Sequence, residues 1–308
     1  MTDVVVLRQK IHGLDPADYA DAIRDALPDA DVALARTPAE ERDLLMEASV
    51  ATGFQIDPDL VAESDTLEAF VCTFAGTDHL PLDALEEAGV TVANASGVHG
   101  PNIAEQVLGY VLADVRNLRQ AWEQHERSEW RHFQGGELRG STATVVGMGP
   151  IGQAIIERFR DFGVETVGVR YTPEKGGNAD EVIGFEEGAL LDAFGRSDYL
   201  VLACPLTDTT EGLVGEEAFL TLPTDAMLVN VARGPVVDTD ALVSALRGND
   251  IRSAALDVTD PEPLPADHPL WTLENCLVTP HNAGHTPQYW TRCADILADT
   301  VEEVGLTF

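Results

Sequence analysis

Apolar positions along this chain fall into short continuous runs separated by longer segments of helical period. The runs at residues 4–7, 31–35, 69–73 and 90–93 predict buried strands, with acid-rich helices at 16–27, 38–47 and 58–65 between them. A Gly/Ser/Asn loop follows at 94–100, then one long apolar-periodic helix over 102–124, placed to connect two domains. Beyond a turn at 137–140 the alternation resumes, with strands at 142–146, 165–169, 199–203, 226–230, 253–258 and 276–279. The helices between them are predicted at 153–162, 186–194, 216–220 and 240–246. Strands alternating with helices make parallel sheets, so the expected class is α/β, with about six strands in a doubly wound second sheet. A chain of 308 residues suits two such domains.

The strand at 142–146 runs into Gly147-Met148-Gly149-Pro150-Ile151-Gly152, a helix follows, and a second strand ends at Val169. That context makes the glycine pattern a dinucleotide-binding turn. Gly147 turns the chain out of the strand, Gly149 lets backbone approach a pyrophosphate, and Gly152 lets the helix pack against the sheet. The pyrophosphate would meet unpaired N–H groups at the positive end of the helix. The residue closing the second strand is expected to meet the adenosine ribose, where NAD binders place Asp or Glu. Here it is Arg170, followed by Tyr171, Thr172 and Lys175. A guanidinium can fork onto a 2′-phosphate that a carboxylate would repel, so NADP(H) is the expected cofactor, with NAD(H) tolerated.

Charge changes the picture of the surroundings. There are 53 acidic residues against 19 basic ones, a net charge of −34, and only Lys10 and Lys175 among the cations are lysine. The acids are spread along the chain, which opposes binding to nucleic acid or anionic membrane. Self-repulsion on this scale is relieved when salt of about 1 M shortens the Debye length to about 3 Å. The balance resembles proteins of salt-accumulating haloarchaea. No leader-like segment or membrane-length apolar run is present, so a cytoplasmic protein is expected. Cys72, Cys204, Cys276 and Cys293 show no ligand spacing and are expected to be small buried side chains, with no metal site.

Three segments follow strands of the second sheet and place polar residues at their carboxyl ends. They carry Arg233 in Asn230–Asp238, Asp257 and Glu262 in Ala255–Leu264, and His281 in Thr279–Gly284. With Gly76-Thr77-Asp78, Asn94 through Glu105, the glycine loop and Cys204-Pro205-Leu206-Thr207, these segments resemble the D-isomer-specific 2-hydroxyacid dehydrogenase family over nearly the whole chain. The resemblance implies a Rossmann domain at 95–282 and a smaller flavodoxin-like substrate domain formed by 1–94 and 283–308. It implies Arg233, Glu262 and His281 as the catalytic set and a homodimer formed through the region around 102–120. It also implies that the amides of Ala75, Gly76 and Thr77 hold the substrate carboxylate, and that Asp257 holds the nicotinamide carboxamide. Cys204, Pro205, Thr210, Pro150, Ile151, Val231 and Ala232 would be further cofactor contacts. No regulatory extension of the kind some phosphoglycerate dehydrogenases carry is expected after Phe308.

The chemistry of a 2-keto acid reduction asks for the same residue types. A hydride must reach C2 from the cofactor, a proton must reach its oxygen, and a cation must meet the carboxylate. A histidine titrates near neutrality, a carboxylate beside it orients the ring, and an arginine grips a carboxylate with two N–H groups. Tyr289, Trp271 and Trp290 read as packing residues. Asp78-His79-Leu80 is similar to glyoxylate/hydroxypyruvate reductases within the family. A dinucleotide-sensing corepressor on the same fold is the alternative from another class, disfavoured by the acidic surface. The protein is expected to keep its fold in multimolar KCl and to unfold on dialysis into salt-free buffer. Circular dichroism checks this, and an unchanged spectrum without salt would refute the halophilic expectation.

Overall fold

Three early helices begin in the same way: a residue that can accept a hydrogen bond, then proline. Asp15, Thr37 and Asp57 accept from the amides of Ala17, Glu40 and Asp59 at 3.0, 3.2 and 2.9 Å. The proline after each takes the first helical position, where its missing N–H costs nothing. The structure is a computed structural model describing residues 2–9, 13–77 and 79–308. Lys10 and Asp78 lie outside the described residues. The chain divides into two units, Met1–Val98 with Thr286–Phe308, and His99–His285. These divisions lie a few residues beyond the expected ones after 94 and 282.

The first unit runs β1 (Val4–Val6), α1 (Pro16–Ala26), β2 (Val32–Leu34), α2 (Pro38–Leu45), β3 (Val50–Gly53), α3 (Pro58–Glu63), β4 (Ala69–Cys72), α4 (Leu82–Glu87) and β5 (Thr91–Asn94). Its strands are all parallel in the order β2-β1-β3-β4-β5, the flavodoxin-like arrangement. Strand β3, at the centre of this sheet, is missing from the sequence-predicted elements, as is α4. Alternate strand residues face opposite ways. Val4, Val6, Val50, Ala69 and Val71 pack with Tyr19 and Ile23, while Val5, Ala51, Phe70 and Cys72 pack with Leu45, Leu60 and Leu85.

In the second unit, α5 (Gly100–Val115) and α6 (Leu118–Glu126) replace the single helix predicted over 102–124. The break is at Asn117, whose φ of 50° lies in the left-handed region. Then come β6 (Thr142–Val146), α7 (Pro150–Asp161), β7 (Glu165–Val169), β8 (Glu181–Ile183), α8 (Glu187–Phe194), β9 (Tyr199–Leu202) and α9 (Glu216–Thr221). The unit closes with β10 (Met227–Asn230), α10 (Thr239–Gly248), β11 (Ser253–Leu256) and β12 (Cys276–Val278). Seven parallel strands form one sheet in the order β12-β11-β10-β9-β6-β7-β8, with β8 an addition to the predicted set. This is the doubly wound Rossmann architecture. α7 starts at Pro150, earlier than the predicted 153, because Gly149 is extended and leaves proline at the first helical position.

The last helix, α11 (Tyr289–Glu303), belongs to the first unit. It was not predicted as a helix, but Tyr289 and Trp290 are core residues there, and Trp290 stacks on Tyr19 at 4.6 Å between ring centroids. Phe70 is wholly buried at the centre of the first unit. Phe70→Ala is expected to cost about 3–5 kcal/mol. The shift of the denaturant midpoint in concentrated salt checks this, and a loss below about 1 kcal/mol would mean that the core collapses around the gap.

Candidate active site

The loops that matter in the second unit leave the carboxyl ends of its strands. After β6 the chain turns at Gly147, whose φ is 99°. A side chain there would put Cβ 2.6 Å from the Ala203 carbonyl oxygen and 2.7 Å from Cys204 Cα. At Gly152 a Cβ would lie 1.8 Å from the Gly147 oxygen, so only glycine lets α7 approach the turn. Gly149 differs: an added Cβ would meet nothing within 4 Å. Its open flank faces the start of a 12-residue helix with no side-chain cap on its first amides. This cradle fits the pyrophosphate of a dinucleotide, held by backbone N–H groups and the helix dipole. Pro150 and Ile151 form the first turn of α7 at that end.

Arg170 leaves β7 half-buried, its amide donating to Ile183 O at 3.1 Å and its guanidinium to the carbonyl of Gly176. No carboxylate pairs with it among the described residues. Tyr171 and Thr172 beyond it are exposed. After β9, Cys204 is buried and Pro205 exposed, and burial pushes the Cys204 thiol up to about 11, away from thiolate chemistry. Thr210 is buried and uses its hydroxyl inside its own loop, donating to Pro205 O at 2.6 Å and accepting from Thr207 N at 2.9 Å. It therefore shapes the loop at the sheet edge. Cys72 and Cys293 are also buried, Cys276 is partly so, and all four cysteines are free.

Strands β10, β11 and β12 are neighbours and deliver the remaining residues. Asn230, buried at the end of β10, accepts from Ala232 N at 3.0 Å and donates to Arg233 O at 3.1 Å. It thereby folds the backbone of Val231 and Ala232 into a tight step that leaves Arg233 exposed. The Arg233 guanidinium donates to the Ala232 carbonyl at 2.7 Å, and no carboxylate pairs with it among the described residues. At Gly234 a Cβ would lie 2.0 Å from the Thr259 oxygen, so the Arg233 loop presses directly on the loop leading to Glu262. Trp271 braces that Pro-rich loop, its indole N–H donating to Pro265 O at 2.9 Å.

Glu262 Oε1 lies 2.6 Å from His281 Nδ1. Both side chains are about half exposed, at 42% and 48%. His281 occupies the left-handed region at φ 50°. Asp257, 3% exposed, accepts from Thr279 Oγ1 at 2.5 Å, Asn282 N at 3.1 Å and Ala283 N at 2.9 Å. The structure thus brings Arg233, Glu262, His281 and Asp257 to one edge of one sheet. Asn230, Tyr110 and Thr279 were not singled out in the sequence. An asparagine ending a strand before Val-Ala-Arg-Gly was the one legible signal among them. In the first unit, Ala75 and Gly76 are exposed and Thr77 partly so, in the loop after β4, where Asn94 Nδ2 donates to Ala75 O at 2.9 Å. Among the described residues no metal-holding cluster of His, Cys, Asp or Glu occurs, and no helix is long and apolar enough to cross a membrane.

Residues 108–283 match the family model described as D-isomer specific 2-hydroxyacid dehydrogenase, NAD binding domain. The chain is 33% identical over 306 residues to D-3-phosphoglycerate dehydrogenase from Methanocaldococcus jannaschii, covering 96% of this chain and 57% of that protein. It thus spans little more than half that relative's length. Identity to the human glyoxylate reductase/hydroxypyruvate reductase is 36% over 236 residues, 74% of this chain and 70% of the relative. Among solved structures, a D-isomer specific 2-hydroxyacid dehydrogenase from Xanthobacter autotrophicus in complex with NADPH and MES has a TM-score of 0.75 at 27% identity. The match covers 99% of this chain and 95% of that one.

Gly152→Ala is expected to push α7 off the glycine turn, lowering stability by about 1–3 kcal/mol and weakening dinucleotide binding at least tenfold, about 1.4 kcal/mol. Thermal melting and fluorescence titration with NADPH check both effects, and unchanged affinity would remove the helix terminus from the binding site.

Proposed function

Because the chain belongs to the D-isomer specific 2-hydroxyacid dehydrogenase family, we propose that it reversibly reduces small 2-keto acids to D-2-hydroxy acids with a nicotinamide cofactor. The observation that carries the proposal is the His281–Glu262 pair beside an arginine with no carboxylate partner among the described residues, on adjacent strand ends. When bound, the dinucleotide supplies a hydride to C2. With Nδ1 engaged by Glu262, His281 keeps Nε2 for the substrate, donating a proton to the carbonyl oxygen in reduction and taking it back in oxidation. Glu262 holds Nδ1 and so orients the ring towards the substrate oxygen. Arg233 grips the carboxylate and polarises the carbonyl. The first unit serves as substrate domain, with the amides of Ala75, Gly76 and Thr77 as further donors to the carboxylate. The second serves as dinucleotide domain.

NADP(H) is the preferred cofactor in this proposal and NAD(H) a usable second. The Gly176 carbonyl holds Arg170 at the end of β7, and no acid neutralises it among the described residues, which leaves its charge for a 2′-phosphate. Tyr171, Thr172, Cys204, Pro205, Thr210, Val231, Ala232 and Asp257 complete the proposed cofactor contacts. The names of the relatives put glyoxylate, hydroxypyruvate and, in the oxidative direction, D-3-phosphoglycerate first among substrates to try. A homodimer is proposed through α5 and the segment after it, because α6 buries none of its own residues while Trp122 is 63% and Trp130 93% exposed. The proposal also takes the protein to work in a salt-rich cytoplasm without a nucleic-acid or membrane partner, and the net charge of −34 supports that reading.

The deciding experiment follows NADPH and NADH absorbance against these acids in multimolar KCl. Turnover is expected with NADPH favoured, and Arg170→Asp is expected to move the preference towards NADH. His281→Ala is expected to lower kcat by about 100-fold or more while sparing cofactor binding. Cofactor binding without turnover on any keto acid would overturn the catalytic proposal in favour of a sensing role. An unchanged preference in Arg170→Asp would remove Arg170 from cofactor selection.

A further inference from the structure

The segment that carries His281 is held by one buried side chain. Beside its three carboxylate contacts to Thr279, Asn282 and Ala283, Asp257 accepts the His281 amide on its own carbonyl at 2.8 Å. Four hydrogen bonds from residues 279–283 thus converge on one residue. They hold His281 in the left-handed region, which a residue bearing Cβ keeps only where its surroundings over-determine it. The direction of the contacts can be read from the chemistry of the groups. Thr279 has a single hydroxyl proton, and it goes to the carboxylate, which only accepts. The Tyr110 hydroxyl lies 2.5 Å from the same Thr279 oxygen, and with the Thr279 proton on Asp257 that contact runs from Tyr110 to Thr279; Gln106 and Asp257 also interact with the phenol. Tyr110 sits on α5, 4% exposed among Ile103, Val107, Val111 and Val229. Burial, reinforced by the Asp257 charge, raises the phenol above its usual pKa, so its proton stays in place at neutral pH.

We propose that Tyr110 is a positioning residue for His281, acting through a one-way chain of hydroxyls from Tyr110 to Thr279 to the Asp257 carboxylate. Each donor in such a chain strengthens the next, and together they hold Asp257 in the orientation that clamps the backbone of 281–283. The inference rests on the assignment of His281 as proton donor and acceptor, and it extends the working site to a side chain on α5, outside the loops at the strand ends. A buried tyrosine that had merely found a partner in the core would leave the loop indifferent to its loss.

Tyr110→Phe removes the first donor and keeps the ring; Thr279→Val removes the link, and Thr279→Ser restores a hydroxyl. Two readouts are taken in concentrated salt: steady-state kinetics, and hydrogen exchange of the amides in 279–283. Tyr110→Phe is expected to lower kcat about tenfold, as small misplacement of a reacting group does. Exchange at Asn282 and Ala283 is expected to quicken about tenfold, one factor of ten per 1.4 kcal/mol of opening free energy. Thr279→Val should exceed both effects and Thr279→Ser should reverse most of them. Exchange and kcat unchanged in Tyr110→Phe would overturn the proposal, as would Thr279→Ser behaving like Thr279→Val. If Thr279→Val does not fold, Tyr110→Phe alone decides. If the wild-type protein reduces no keto acid, the functional proposal fails, while the exchange rates still decide whether Tyr110 holds the clamp.

Discussion

Parallel strands cannot be joined by tight turns, because each connection must carry the chain back to the starting edge before the next strand begins. In the second unit this forces all seven strands to finish at the same edge, and every loop that leaves there is available for chemistry. The glycine turn after β6, Arg170 after β7, Thr210 after β9, Arg233 after β10, Glu262 after β11 and His281 after β12 follow from that one geometric fact. β6 and β9 are neighbours although β7 and β8 lie between them in sequence, so the chain departs in opposite directions from this pair. The crevice opened there is where such sheets bind ligands.

The edge is then tightened by contacts at which even a methyl group is excluded. Gly147 against Ala203, Gly152 against Gly147 and Gly234 against Thr259 bring backbone onto backbone. Such approaches leave carbonyls and amides with little access to water, and each needs a partner. Polar side chains supply them. Asn230 pairs with the step before Arg233, Thr210 closes the loop after Cys204, and Asp257 gathers the segment around His281. These residues set the course of the loops that carry Arg233 and His281.

Much of this was legible in the chain before any coordinates. Glycine spacing is constrained by the ligand and by close packing, so the turn at 147–152 could be read directly, and the polar residues ending β10, β11 and β12 declared themselves against apolar strands. What stayed hidden depends on partners distant in sequence. Val50–Gly53 is a short run containing threonine and glycine, and only its two parallel neighbours make it the central strand of its sheet. β8 opens on an acidic residue and is an edge strand, so no apolar run marks it. The helix over 102–124 has continuous periodicity, and nothing but the backbone of Asn117 reports the break. Tyr110 is an aromatic on an apolar helix face, indistinguishable from core until its hydroxyl is seen against Thr279.

The stacking of Trp290 on Tyr19 gives the molecule an optical asymmetry. Trp290 is the indole of the first unit, shielded from solvent, while Trp122, Trp130 and Trp271 all stand exposed on the second. A neutral collisional quencher therefore silences the emission of one unit and spares the other. What remains under quenching is a blue-shifted signal from a single fluorophore. One cuvette can then follow the two units separately as salt is withdrawn, and tell which of them loosens first.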